Sequence, residues 1–298
     1  MRWVWDDAAV TRHTYLCPLR WADMDQLGHV NNVTYVDYLQ EARVDMLRVH
    51  PPAGGGEELA EGVVVVRHEV QYLLPLVFRM TPVKVDVWVT EIKASTFTLA
   101  YEVYDEDDAG RTVYLRARSV LAPFVFAEER PRRITREERA VLERFLEKHP
   151  VPLTPTLGLE QATADLRYEY QCQVRFSDVD AYRHVNNVKY FEYYQEARIA
   201  LVMALGGIGA GNEHLGVVVA QIDVDYRAPM FFRERPYAVD CWVSRVGNSS
   251  FLVSSEIRDG DEVLSQASVV MVAFDSRTQR PVQLTDDHRT RLMAGPRG

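Results

Sequence analysis

The chain has 298 residues, 47% of them hydrophobic and 26% charged, with a formal net charge of -9 at pH 7. That length suits two domains of ordinary size, each able to bury its own core, and no run approaches the roughly 18 apolar residues that a membrane span needs. The acidic balance, without a basic stretch interleaved with aromatics, argues against a nucleic-acid surface.

In chain order, the opening "MRWVWDDAAV" lacks the apolar core and cleavage site of a secretory leader, so the cytoplasm is the expected compartment. "TYLCPLRW" predicts a short strand, and the loop "DMDQLGHVNN" follows at 23–32. Next, "NVTYVDYLQEARVDML" carries Val33, Tyr35, Val36, Leu39, Ala42 and Met46 at helical spacing, which predicts a long helix. Segments Val63–Tyr72, Val83–Glu91, Thr96–Tyr104 and Val113–Phe126 alternate β-branched or aromatic residues with polar ones, so four antiparallel strands are expected. Thr135 opens "TREERAVLERFLEKH", and Glu138 three residues on completes a capping box for a surface helix. "PVPLTPTLG" then reads as an extended, semi-rigid linker.

The same order is written twice. Aligning Tyr15 to Arg43 with Tyr170 to Arg198 at an offset of 155 gives 16 identities in 29 positions. Tyr72, Pro75, Pro82 and Trp88 return as Tyr226, Pro229, Pro236 and Trp242 at an offset of 154. Ala117, Phe124, Pro131 and Thr135 return as Ala267, Phe274, Pro281 and Thr285 at 150. A period this long marks a duplicated domain and not a solenoid. One long helix per small antiparallel sheet must be covered by the sheet curling around it, which suits an α+β hotdog-like domain. The expected division is residues 1–148, a linker at 149–164, and 165–298. Cys17, Cys172 and Cys241 have no ligand or redox spacing and read as core thiols of a reducing compartment.

The repeated loop holds the residues with chemical promise. The first N–H groups of a helix lack carbonyl partners and sit at the positive end of its dipole. Asn31 or Asn32 suits the N-cap, and if Asn31 caps, the Asn32 N–H is left to face a carbonyl oxygen as it becomes an oxyanion. Asp25, seven residues earlier and eased by Gly28, is placed to act as general base or nucleophile on the same acyl group. Asp23 is expected to press on the pKa of its neighbour. The second copy offers Asp178, Asp180, His184, Asn186 and Asn187. The competing reading is turn and cap material throughout, with His29 a structural histidine. Persistence of Asp23, Asp25, His29, Asn31 and Asn32 in both copies while their neighbours drift weighs against it. In the repeated "QEAR", Glu41, Arg43, Glu196 and Arg198 read as structural charges on a largely buried helix. Ser95 and Ser249, at strand starts, read as turn residues before acyl contacts.

"RWADMDQLGHVNNVTYVDYLQEAR" and "RFSDVDAYRHVNNVKYFEYYQEAR" resemble the hotdog-fold thioesterases of the 4-hydroxybenzoyl-CoA thioesterase type, including acyl-CoA thioesterases, over nearly the whole chain. The resemblance implies two tandem hotdog domains pairing as an intramolecular double hotdog, with homodimerisation of that pair as a further option. It implies an acyl-CoA thioesterase in which Asp25 and Asp180 are catalytic and the Asn32 and Asn187 N–H groups polarise the carbonyl. The supporting residues are Asp23, Asp178, His29, His184, Asn31 and Asn186. It implies a small-molecule acyl thioester as partner, neither nucleic acid nor membrane, and no metal or redox cofactor, CoA entering only with substrate and product. The second loop is also similar to plant acyl-ACP thioesterases, but Leu27 and Tyr182 stand where those carry an asparagine. Arg183 replaces Gly28, so the second loop is expected to bend differently.

Overall fold

A computed structural model describes residues 12–52, 59, 62–147, 152–160, 166–207 and 214–295. The opening decapeptide and the linker residues 149–151 and 161–164 lie outside the described residues. The chain divides into two compact units, one of Met1–Val65 with Leu73–Leu153, the other of Val66–Tyr72 with Thr154–Gly298.

The first unit runs β1 (His13–Cys17), α1 (Thr34–Val49), the start of β2 (Val63–Tyr72), β3 (Val83–Ile92), β4 (Phe97–Asp107), β5 (Gly110–Val125), β6 (Arg130–Pro131) and α2 (Arg136–Glu143). Its strands pair antiparallel in the order β1-β3-β4-β5, with β6 on β5. Helix α1 buries Tyr35, Val36, Tyr38, Leu39, Ala42, Met46 and Leu47 and packs on β1 and β3. These positions recur at three and four residues, so one apolar stripe meets the sheet. Each large side chain it buries contributes about 1.5–3 kcal/mol. Strand β4 is buried at every residue from 97 to 104, and Leu153 packs against its Ala100 and against Trp88 of β3. Thr135 and Glu138 form the expected capping box at the start of α2.

The second unit repeats the plan with β7 (Tyr168–Cys172), α3 (Asn187–Ala204), β8 (Leu215–Tyr226), β9 (Tyr237–Val246), β10 (Ser250–Asp259), β11 (Glu262–Asp275), β12 (Arg280–Pro281) and α4 (Asp286–Ala294). Its strand order is β8-β11-β10-β9-β7, and α3 packs on β9 and β7. Its sheet continues through residues of the N-terminal half: β2 pairs antiparallel with β8 from Arg67↔Asp225 to Gln71↔Gln221. A polar seam fixes that pairing, with Arg67 bridging Glu69 at 3.0 Å and Asp225 at 2.7 Å.

Residues 154–160 form a strap across the second unit's sheet. The Leu157 N–H donates to Asp223 Oδ2 at 2.7 Å and the Thr156 hydroxyl to Glu69 Oε1 at 2.6 Å. Trp242 Nε1 donates to the Glu160 carbonyl at 2.9 Å. An extended segment without strand pairing thus satisfies its polar groups on side chains.

A long helix enclosed by an antiparallel sheet in each unit is the tandem hotdog architecture that the sequence predicts. The three cysteines are free and buried, and burial pushes the Cys17 and Cys172 thiols up to about 12. Among the described residues, no helix is long and apolar enough to cross a membrane.

Candidate active site

In both units the loop is held by the same hydrogen bonds. The Asp25 N–H donates to the His29 carbonyl at 2.9 Å, as Asp180 does to His184 at 2.9 Å. The Gly28 N–H returns to the Asp25 carbonyl at 3.0 Å, as Arg183 returns to Asp180 at 3.0 Å. The loop then joins the chain that follows β2 or β8: Val30 N–H donates to Leu76 O at 2.8 Å, and Val185 N–H to Met230 O at 2.9 Å.

Arg183 sits at φ 67° beside 76° for Gly28. This corrects the expectation that the second loop bends differently: arginine has been forced into the left-handed turn that glycine adopts freely.

The carboxylates of the two Asp-x-Asp pairs do different work. Asp23 is 4% exposed and accepts from Arg20 N–H at 2.7 Å and from the Tyr38 hydroxyl at 2.6 Å. Asp178, 5% exposed, accepts from Arg175 N–H and the Tyr193 hydroxyl, both at 2.8 Å. Each therefore ties the head of the loop to the second turn of the helix, and burial beside the carboxylate raises the pKa of both phenols. The backbone carbonyl of the same aspartate accepts from Asn31 or Asn186 N–H at 2.8 and 2.9 Å. Asp23 is thus engaged by Arg20 and Tyr38, in a clamp.

Asp25 and Asp180 are partly exposed. Oδ1 of Asp25 accepts from Leu27 N–H at 2.8 Å, and Oδ1 of Asp180 from Tyr182 N–H at 2.9 Å and His184 N–H at 3.3 Å. Among the described residues, Oδ2 of each makes no hydrogen bond. One oxygen closes an Asx turn, as the turn reading expects, and the second stays available for a proton or a carbon centre.

The asparagines divide as the capping argument expects in the second copy, where Asn186 is the N-cap, whereas in the first the N-cap position falls to Val33, without a side-chain cap. Asn31 Oδ1 accepts from Val33 N–H at 2.8 Å and Asn186 Oδ1 from Val188 N–H at 3.0 Å. Helix α3 begins at Asn187, whereas the first regular residue of α1 is Thr34, two positions later than its counterpart. His29 and His184 contribute the loop carbonyls, and the His184 ring stands edge-on to Phe231 with centroids 5.1 Å apart.

The "QEAR" segment separates. Glu41 and Glu196 are exposed, while Arg43 and Arg198 are 7% and 4% exposed. The burial of the arginines agrees with a structural role, while the glutamates face away from them, since residues two apart on a helix point to different sides. Among the described residues, Nη1 of each arginine is buried without a hydrogen-bond partner, and burial lowers the Arg198 pKa. Ser95 and Ser249 lie between β3 and β4 and between β9 and β10.

Sequence reasoning missed the tyrosine clamp, although its signal was present as a tyrosine 15 residues after the aspartate in both copies. It also missed His68 and Tyr226, which reach Asn187 from β2 and β8.

The model of the family described as the thioesterase-like superfamily matches residues 19–145 and 174–292. An uncharacterized protein of Bacillus subtilis, YsmA, is 32% identical over 123 residues, 40% of this chain and 81% of its own length. The long-chain acyl-CoA thioesterase FadM of Escherichia coli is 26% identical over 125 residues, 41% of this chain and 94% of its own. The crystal structure of an acyl-ACP thioesterase from Bacteroides thetaiotaomicron superposes with a TM-score of 0.65 at 16% identity, covering 88% of this chain and 98% of that one. At that identity the likeness is one of fold.

Proposed function

The chain belongs to the thioesterase-like superfamily, and on that premise we propose that it hydrolyses the thioester of an acyl-CoA to the free acid and CoA at two centres, one in each unit. The observation that carries this reading is the loop built twice with the same hydrogen bonds, each presenting one uncommitted aspartate oxygen beside a helix start. Water attacks the thioester carbonyl while Asp25 or Asp180 takes its proton, and the N–H of Asn32 or Asn187 receives the developing oxyanion. The C–S bond then breaks, and the thiolate leaves and recovers the proton. The same aspartate is also suited to attack the carbonyl itself, giving a mixed anhydride that water cleaves.

CoA is favoured as carrier by the rim of the second loop. Arg183 within the loop, Arg175 just before it, and Arg227 and Arg235 on either side of Met230, whose carbonyl the loop meets, are all exposed, although the chain as a whole carries -9. Guanidinium groups suit the phosphates of CoA. FadM, named for acyl-CoA, matches one hotdog's length of this chain. Leu27 and Tyr182 in place of asparagine count against the carrier-protein alternative. Free-thiol release from a panel of acyl-CoAs and acyl carrier protein thioesters tests the proposal. Release from CoA esters is expected. Release from carrier-protein esters alone would move the substrate, and tight binding of both without release would make this an acyl-thioester-binding protein.

A further inference from the structure

Resting on that hydrolase reading, we propose that His68, through its contact with the side chain of Asn187, is a positioning residue for the oxyanion donor of the second centre. The N-terminal half of the sequence thereby completes the site of the second unit. His68 lies in the part of β2 that belongs to that unit and is 1% exposed. Its Nε2 is 3.3 Å from Asn187 Oδ1. Its ring stands edge-on to Phe191, in the first turns of α3, and to Tyr226, with centroids 5.8 and 6.0 Å apart. The Tyr226 hydroxyl in turn donates to the Asn187 carbonyl at 2.9 Å.

Asn187 is therefore gripped at two points from the sheet, at its side-chain amide by His68 and at its carbonyl by Tyr226. The neighbouring Asn186 caps Val188. A backbone N–H stabilises an oxyanion in proportion to how little it must reorient as the charge forms. Holding the carbonyl and the side chain of Asn187 fixes the Cα that bears that N–H, and the carbonyl of the same peptide unit, that of Asn186, accepts from Lys189 N–H at 2.9 Å, which together restrict the rotation that would swing the N–H away.

Packing alone does not require an imidazole at this position. With Tyr72 aligned to Tyr226, the counterpart of His68 is Ile222, which is also fully buried. An aliphatic side chain serves in one copy, whereas the other buries a polar ring, and a buried polar ring is unfavourable unless its hydrogen bond is made. The two centres are consequently not equivalent.

The test uses the full-length chain in two backgrounds, Asp25→Asn, which leaves the second centre working, and Asp180→Asn, which leaves the first. In the Asp25→Asn background, His68→Ile is expected to lower kcat about 10- to 100-fold with KM changed less than about twofold, the pattern of a lost transition-state alignment. His68→Gln, which keeps a polar group able to meet the Asn187 amide, is expected to recover most of that rate. The loss in the Asp180→Asn background is expected to be much smaller. Equal losses in both backgrounds, an unchanged kcat, or failure of glutamine to rescue a stably folded variant would overturn the inference. An Asp25→Asn parent that releases no thiol while the wild type does would overturn it too, by removing the second centre. A wild type that releases none would instead fail the hydrolase reading itself.

Discussion

At the scale of single residues, Arg183 is the clearest conflict between local preference and imposed structure. A residue with a Cβ in the left-handed region loses roughly 1–2 kcal/mol that glycine does not, and a Cβ built on Gly28 in the sister turn meets nothing within 4 Å. The strain is therefore in the backbone alone. Arg183→Gly is expected to stabilise the second unit by about 1 kcal/mol, read as a shift in denaturant midpoint, and Gly28→Ala to destabilise the first by about as much; an unchanged midpoint in both would show that the turn is unstrained. The tyrosine clamp makes a second prediction. Tyr193→Phe leaves the buried Asp178 one donor short and is expected to cost about 1–3 kcal/mol, read as a shift in denaturant midpoint. A Tyr193→Phe variant as stable as the wild type would mean that Asp178 does not depend on the phenol. The loop's aspartates, histidines and asparagines were legible because duplication preserved them amid drift. His68 was not, because its partner lies 119 residues away and its aligned position in the other copy is isoleucine.

At the scale of elements, the strap at 154–160 couples stability to pH. Asp223 receives the strap's Leu157 N–H, yet burial, with Glu69 adding to it, pushes its carboxyl up to about 6 against the lowering effects of Gln221, Leu157 and Arg67. An acid whose folded pKa is raised binds more protons folded than unfolded. Its stabilising contribution is therefore fully present below its unfolded value near 4 and is lost as pH rises through about 6. The change is on the order of 2–3 kcal/mol at 1.36 kcal/mol per unit. Asp223→Asn keeps an acceptor for Leu157 and removes the titration. The wild type is expected to lose stability relative to this variant between pH 4 and 7, and parallel stability curves over that window would contradict the assignment. Strands and the long helices could be read from their periods of two and 3.6. The extended path of the strap could be read from its prolines, but not its attachment to the sheet, because a non-repetitive segment hydrogen-bonded to side chains leaves no periodic trace.

At the scale of the whole molecule, the two repeats in sequence and the two compact units in space do not coincide, because residues 66–72 join the second unit. Residues 154–298 produced alone would leave β8 without the partner it has from Arg67 to Gln71. An unpaired strand of that length invites association through its free N–H and C=O groups. The fragment is expected to self-associate or aggregate where the full chain does not, as sedimentation would show; a monodisperse, stably folded fragment would contradict this. The repeat made the two domains legible, but a strand that crosses from one unit to the other breaks no pattern in the sequence. The central claim is that one aspartate in each unit performs the hydrolysis, and it is tested most directly by thiol release from the Asp25→Asn, Asp180→Asn double variant. Asparagine keeps the Oδ1 that closes each Asx turn and removes the charge and basicity of Oδ2, so the substitution separates chemistry from folding. The double variant is expected to fold normally and to turn over roughly 10² to 10⁴ times more slowly, as for a lost general base, or slower still for a lost nucleophile. Each single variant should retain the activity of its intact centre. A normally folded double variant releasing thiol at the wild-type rate would reduce both loops to turns and caps and contradict the account.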